Sequence, residues 1–227
     1  MVCKTFQRAR SKERKAQRRT ALLEGTALLV DELGVDAVSL SAIAKRVGLC
    51  KSNVYTYFDS REHILLELLH EDWSAWLADT EVALVKLGRP GDAASVARVL
   101  TQAFVARPRL CELASVVTSV LEKNVSEDAI AEFKTRALSL GIRSAAMLHA
   151  ALPALDLELC AWLLKPTFAL VAGLWPMAHP PPAVAKVMER PEFAIHHTDF
   201  ERELGRSIEL LLRGALQAGD AGTRKIA

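Results

Sequence analysis

Ser39 to Arg61 reads SLSAIAKRVGLCKSNVYTYFDSR, and this stretch decides the fold. With Leu40 as its first position, Ile43, Val47, Leu49 and Val54 are apolar at intervals that suit two short helices crossing steeply. Ala44 falls where the helices approach most closely, and a longer side chain there would push them apart. Gly48 falls just after the first helix, at a site that calls for the left-handed conformation. Leu49 and Cys50 complete a tight turn, and the second helix is expected from Lys51 to Tyr57. Ser39 and Ser41 both suit the cap of the first helix. Ser60 suits the cap of the next, with Glu62 in its first turn. This spacing would present the start of the second helix to a DNA major groove.

Outward from this hairpin, charge divides unevenly. The 227-residue chain carries a net +2. Residues 1–20 hold eight Lys/Arg against Glu13, a net of +7, whereas residues 21–70 hold four basic and seven acidic groups. The basic run therefore lies immediately before the hairpin. A solvated tail is the bland reading of such a run; beside a DNA-reading helix, a phosphate-contacting arm is the better one. About half the residues are hydrophobic, which suits a globular chain long enough for one or two domains. Cys3, Cys50, Cys111 and Cys160 are widely spaced, form no CxxC pair and suit free thiols in a reducing cytosol. No signal peptide is expected. The most apolar segment, Leu157 to Met177, is interrupted by Glu158, Lys165, Pro166 and Pro176, so the expectation is a buried helix and no membrane span.

Nearly every segment has helical period, and the expected fold class is all-α. Leu22, Thr26, Leu29 and Leu33 form the stripe of a first helix that Gly34 ends. A long helix after Ser60 presents Ile64, Leu65, Leu68, Leu69, Trp73, Trp76 and Leu77 on one face. Gly88, Pro90 and Gly91 end it. Further helices are expected from Asp92 to Val105, Pro108 to Leu121, Ser126 to Ala150, Leu155 to Trp175 with a kink near Pro166, Ala183 to Met188, and Asp199 to Leu216. The domains expected are a basic arm over 1–19, a helix-turn-helix domain over 20–66, a larger helical ligand-binding and dimerisation domain over 67–218, and a frayed tail over 219–227.

A basic arm, three small helices and a larger helical remainder resemble the TetR (tetracycline-repressor) family. The resemblance is carried by Leu22–Gly34, by Ser39-Leu40-Ser41-Ala42-Ile43-Ala44, by Gly48-Leu49, and above all by Val54-Tyr55-Thr56-Tyr57-Phe58 followed by Ser60-Arg61-Glu62. Cys50 stands where the family more often has a small polar residue, and Arg61 where Lys is commoner. Arg107-Pro108-Arg109-Leu110, Leu121 to Ser126 and Leu174-Trp175-Pro176-Met177 resemble a C-terminal domain type of actinobacterial members. The resemblance implies a homodimeric DNA-binding repressor, released by a small-molecule inducer and working in the cytoplasm on the nucleoid. Its C-terminal domain would carry the dimer interface and the inducer pocket.

Lys51, Ser52, Asn53 and Thr56 are the candidate base readers. Lys donates to guanine, Asn pairs with adenine, and the Thr methyl meets a thymine methyl. Tyr55 and Tyr57 divide between core packing and phosphate bonding. Ser41, Cys50, Arg61 with the amides after Ser60, and Arg14, Lys15 and Arg18 of the arm complete the expected DNA surface. One recognition helix covers only a few base pairs, so a palindromic operator read by a two-fold dimer is expected, with the last two long helices as the dimer surface. Trp73, Trp76, Phe104, Phe133, His149, Trp162 and Phe168 are candidate walls of a pocket for a small apolar or aromatic ligand, although aromatics at helical spacing are more often core. No cofactor, metal site or enzyme signature is expected; His196, His197 and Asp199 read as a solvated loop. An activator and a redox regulator acting through Cys50 are the alternatives, with a helical enzyme or a protein-interaction adaptor more remote.

Overall fold

The computed structural model describes residues 3–88 and 91–223, and the side chains of 13–88, 91–193 and 195–218. Ten α-helices and no strand occur among the described residues. They are α1 (Cys3–Leu33), α2 (Leu40–Arg46), α3 (Lys51–Val54), α4 (Arg61–Lys86), α5 (Ala93–Val105), α6 (Pro108–Val116), α7 (Glu127–Ala151), α8 (Leu157–Ala178), α9 (Pro182–Met188) and α10 (Phe200–Thr223). The chain divides into two compact units, one of residues 1–69 with 117–133, the other of 70–116 with 134–227.

In the first unit, α1 packs on α2 and α2 on α3. Leu22, Leu23, Leu29, Val30, Ile43, Val54, Phe58, Ile64 and Leu65 form its core. The start of α2 is capped by Ser39, whose Oγ accepts from the Ala42 amide at 3.1 Å, so Ser39 rather than Ser41 is the cap. Its end is a Schellman motif. The Leu49 amide reaches Ala44 O, the Gly48 amide reaches Lys45 O, and Gly48 takes φ 67°. Gly25 of α1 faces this end of α2 at close range, since a Cβ there would lie 2.6 Å from Val47 Cγ1. Ser60 caps α4 by accepting from the His63 amide.

Two boundaries differ from expectation. α1 does not start at Leu22 but runs back through the basic segment to Cys3, so the arm is helix. Its Lys, Arg, Gln, Glu and Ala residues are strong helix formers, and no Pro or Gly interrupts them before Gly25. The side chains of Lys4, Arg8, Arg10 and Lys12 lie outside the described ones. The second helix of the hairpin ends at Val54 rather than Tyr57. Beyond it the chain continues in tight turns, with the Thr56 amide bonded to Asn53 O and the Tyr57 amide to Val54 O. Residues 117–133 belong with the first unit. Here the helix after α6 widens to π pitch over Val117–Leu121, and the Ser126 hydroxyl donates to Asp59 Oδ2 at 2.8 Å.

In the second unit, α10 packs on α5 and α8, and α6 packs on α8. The α10 stripe Phe200, Leu204, Ile208 and Leu212 is buried as its period requires. Asp92 and Ser95 form a reciprocal capping box at α5. Bidentate bonds at 2.8 Å join Arg109 to Asp72. α8 departs from the expectation of a buried helix. It is helical through Pro166 and Pro176, and is long and apolar enough to cross a membrane by length and composition. Yet only Cys160, Leu163 and Val171 of α8 are buried, while Leu157, Trp162 and Met177 are more than half exposed. α10 continues to Thr223 where a frayed end was expected after Leu216; residues 224–227 lie outside the described ones.

Candidate nucleic-acid interface

α3 is four residues long, so its orientation is set by what anchors it rather than by its own stability. Val54 is fully buried at its end and Phe58 closes the following turn, 1% exposed. With these two turned inward, Lys51, Ser52 and Asn53 all face solvent, and Thr56 is exposed one turn on. Three donors or acceptors and one methyl are thus brought together on one short outward surface. Cys50 is exposed at the N-cap of α3 and makes no side-chain cap bond. Tyr55 is half exposed and Tyr57 partly buried. Ser41 is exposed on α2.

Arg14, Lys15 and Arg18 are exposed on α1. Arg19, the next cation, is less exposed, its side chain at 39%: it pairs with the buried Glu67 of α4 and lies 4.9 Å from the centroid of the Phe58 ring.

Arg61 requires a correction. Its NH1 donates to Val38 O at 2.9 Å and its Nε to Glu62 Oε1 at 2.9 Å, leaving the side chain 20% exposed. The guanidinium ties the segment before α2 to the start of α4 and is not held out to a phosphate. The α4 N-terminus is itself occupied by the Ser60 cap and flanked by Asp59 and Glu62, whose charge opposes an anion there.

The aromatic ligand candidates separate. Within the second unit, Trp73 of α4 meets Phe168 of α8 at 6.1 Å between ring centroids, and Trp76 stacks on Phe104 of α5 at 4.7 Å. Trp76 also lines a small cavity of about 20 Å³ with Leu100, Leu148, Leu163 and Ile208, and its buried indole Nε1–H has no acceptor. Three candidates do not join them. Trp162 faces outward from α8, 56% exposed, because Cys160, Leu163 and Val171 are the positions α8 turns to the core. His149 is exposed, with Nδ1 2.6 Å from Leu155 O in the turn after α7. Phe133 is buried in the first unit. A second, larger cavity of about 360 Å³ lies between α4 and α7, lined by Leu84, Val85, Ala146, Met147 and Ala150, with Glu81 and Arg143 at 3.4 Å on its rim. None of the aromatic candidates lines it.

A helix-turn-helix with an outward polar surface, borne on a separate all-helical unit, defines a class of DNA-reading proteins. Residues 22–68 match the family described as bacterial regulatory proteins, tetR family, and residues 70–219 match the tetracyclin repressor-like C-terminal domain. The chain belongs to the TetR family. The HTH-type transcriptional repressor KstR of Mycolicibacterium smegmatis is 30% identical over 78 residues, covering 34% of this chain and 38% of KstR. The KstR of Mycobacterium tuberculosis matches equally over 36% of its length, so the chain spans little more than a third of these curated relatives. A transcriptional regulator from Rhodococcus sp. RHA1 has the same fold, with a TM-score of 0.61 at 14% identity over 86% of this chain and 94% of that one. The fatty acid degradation regulator FadR of Bacillus halodurans aligns with a TM-score of 0.51 at 16% identity, again over 86% and 94%.

Proposed function

We propose that this chain is a DNA-binding transcriptional repressor that reads a palindromic operator as a homodimer and releases it when a small molecule binds the second unit. The observation that carries the reading is the joint outward placement of Lys51, Ser52, Asn53 and Thr56 over the buried anchors Val54 and Phe58. Arg14, Lys15 and Arg18 add sequence-independent attraction to phosphates. KstR, named as a repressor, supports the sign of regulation.

The outward face of α8 supports the dimer. Leu157, Ala161, Trp162, Ala169 and Met177 are exposed on a helix of 22 residues, with Lys165 among them. So apolar a face needs a cover, and a second copy related by a two-fold axis supplies one of equal polarity. Half-sites would then lie about 34 Å apart or a multiple of it. The two aromatic pairs around α4 support a ligand of apolar or aromatic character. A cytoplasmic protein bound to the nucleoid follows from this reading.

Selection of bound fragments from genomic DNA, followed by footprinting, tests it. A two-fold symmetric footprint is expected, and Lys51→Ala should bind the selected site at least tenfold more weakly, the lower range for one bidentate base contact. A Lys51→Ala protein that binds as tightly as wild type removes the base-reading role of that residue. A wild type with no preferred fragments removes the function.

A further inference from the structure

Arg19 ends the basic run of α1, and its use differs from that of its neighbours. Arg14, Lys15 and Arg18 point their charge at solvent; the Arg19 guanidinium turns in to Glu67. The Glu67 side chain is 5% exposed, so its carboxylate depends on partners for its charge. The same guanidinium faces the ring of Phe58 at 4.9 Å, a distance at which a cation is drawn to the ring's negative face. Phe58 in turn meets the His63 ring edge-to-face at 5.4 Å, and its amide bonds to Val54 O at 3.1 Å. One planar cation therefore touches α1, the residue that closes the turn after α3, and α4.

That arrangement bears directly on the base readers. α3 has four helical residues, and Val54 and Phe58 are the two apolar side chains that hold it to the unit. A shift of Phe58 moves the 51–56 surface as a body, and base contacts tolerate little displacement. We propose that Arg19 is a positioning residue that sets operator specificity by locking Phe58 against Glu67, and that it contributes no phosphate contact. The inference rests on the DNA-reading function proposed above. Arg suits the role where Lys does not: a planar guanidinium can hold a carboxylate along its edge while its face lies on a ring, and an ammonium ion cannot do both.

The test compares affinity for the selected genomic site and for a random-sequence duplex across a salt series, using the full chain. Arg14→Ala, Lys15→Ala and Arg18→Ala should each weaken both duplexes alike and make the slope of log affinity against log salt shallower by about 0.9. Arg19→Lys keeps the charge. It should leave random-duplex affinity and the salt slope unchanged, and weaken the selected site by roughly tenfold, as loss of one well-placed base contact would. Arg19→Ala would take an ion-pair partner from the buried Glu67 carboxylate and destabilise the unit, so the second variant is Arg19→Met with Glu67→Leu, which removes both charges into similar volume. It should retain random-duplex binding with the wild-type slope and lose the preference for the selected site. A slope made shallower by about 0.9 in the double variant means that Arg19 contacts phosphate, and overturns the proposal. Wild-type discrimination in Arg19→Lys and in the double variant overturns it as well. Parallel loss of both duplexes with the helical signal of the unit marks a folding role alone and also counts against it. A wild type that does not distinguish the two duplexes overturns the DNA-reading function, and the Arg19 role with it.

Discussion

Gly25→Ala examines a close helix contact in the DNA-reading unit. A Cβ at residue 25 would lie 2.6 Å from Val47 Cγ1 and 3.4 Å from Arg46 Cγ. The first distance is shorter than real Cβ contacts. Val47 cannot easily swing aside, since it is β-branched and caps the end of α2. Arg46 is restrained by its pair with Glu32, NH1 to Oε1 at 3.0 Å. Two terms oppose each other. Ala is favoured over Gly in a helix interior by about 1 kcal/mol, whereas forcing an extra methyl into a packed contact costs about 1–3 kcal/mol. The expected net is a destabilisation of about 1 kcal/mol. In a Val47→Ala background the obstructing Cγ1 is gone, so Gly25→Ala should instead stabilise by up to about 1 kcal/mol. The coupling between the two sites is then about 2 kcal/mol. Hydrogen exchange at α1 and α2 amides in the full chain reads this locally. All four tryptophans, Trp73, Trp76, Trp162 and Trp175, lie in the second unit, so their fluorescence should report no change and serve as the control. If Gly25→Ala stabilises wild type as much as it stabilises Val47→Ala, α1 and α2 do not approach this closely and Gly25 is not there for contact.

Three further outcomes follow from the second unit and the cysteines. Wild type should sediment as a dimer at micromolar concentration, and Trp162→Glu should weaken the dimer by about 30-fold or more, as a central aromatic contact of about 2 kcal/mol requires, without loss of helical circular dichroism; a dimer unaffected by this change would move the interface off α8. Burial holds the His70 imidazole below its ordinary 6.5, and its Nδ1 has no partner. The unfolded chain therefore takes up the proton first: stability is full above pH 6.5 and falls as pH drops below it toward the lowered folded value. Urea midpoints by tryptophan fluorescence between pH 7.5 and 5 should thus fall more steeply for wild type than for His70→Phe, and equal slopes would refute the burial. Burial pushes the Cys111 thiol up to about 12 and the Cys160 thiol, with help from Asp156, up to about 11. Iodoacetamide at pH 8 should label exposed Cys50 in the native protein, and Cys111 and Cys160 only in denaturant, with operator affinity lost as Cys50 reacts; labelling of Cys111 at the rate of Cys50 would contradict its packing.

What could be read from the residues divides by how far away each partner lies. Ser39, Gly48, Ser60 and Asp92 act on amides and carbonyls within a few positions of themselves, so their chemistry and spacing sufficed to place four helix ends. The helical form of the basic segment is also consistent with its residues, since 3–24 contain neither Gly nor Pro, but a run of like charge favours a solvated tail as readily as a helix. Arg61 and Arg19 were of another kind. Their partners Val38 and Glu67 lie 23 and 48 positions away, and nothing in a local window separates a cation spent on a carbonyl or buried carboxylate from one offered to a phosphate. The aromatics show the same limit: Trp76 and Trp162 sit on equally helical segments, and only the packing of α5, α8 and α10 makes one a core residue and the other a surface one. The outward placement of Lys51, Ser52 and Asn53 was legible for the converse reason. Lys51, Ser52 and Asn53 are defined by having no apolar role beside Val54, and a residue excluded from the core needs only its helix phase to be placed. Side-chain identity therefore limits what a residue can do in this protein, while distant partners decide whether that capacity remains for DNA. Arg14 and Arg19, alike in composition and five positions apart on one helix, are where that distinction can be measured.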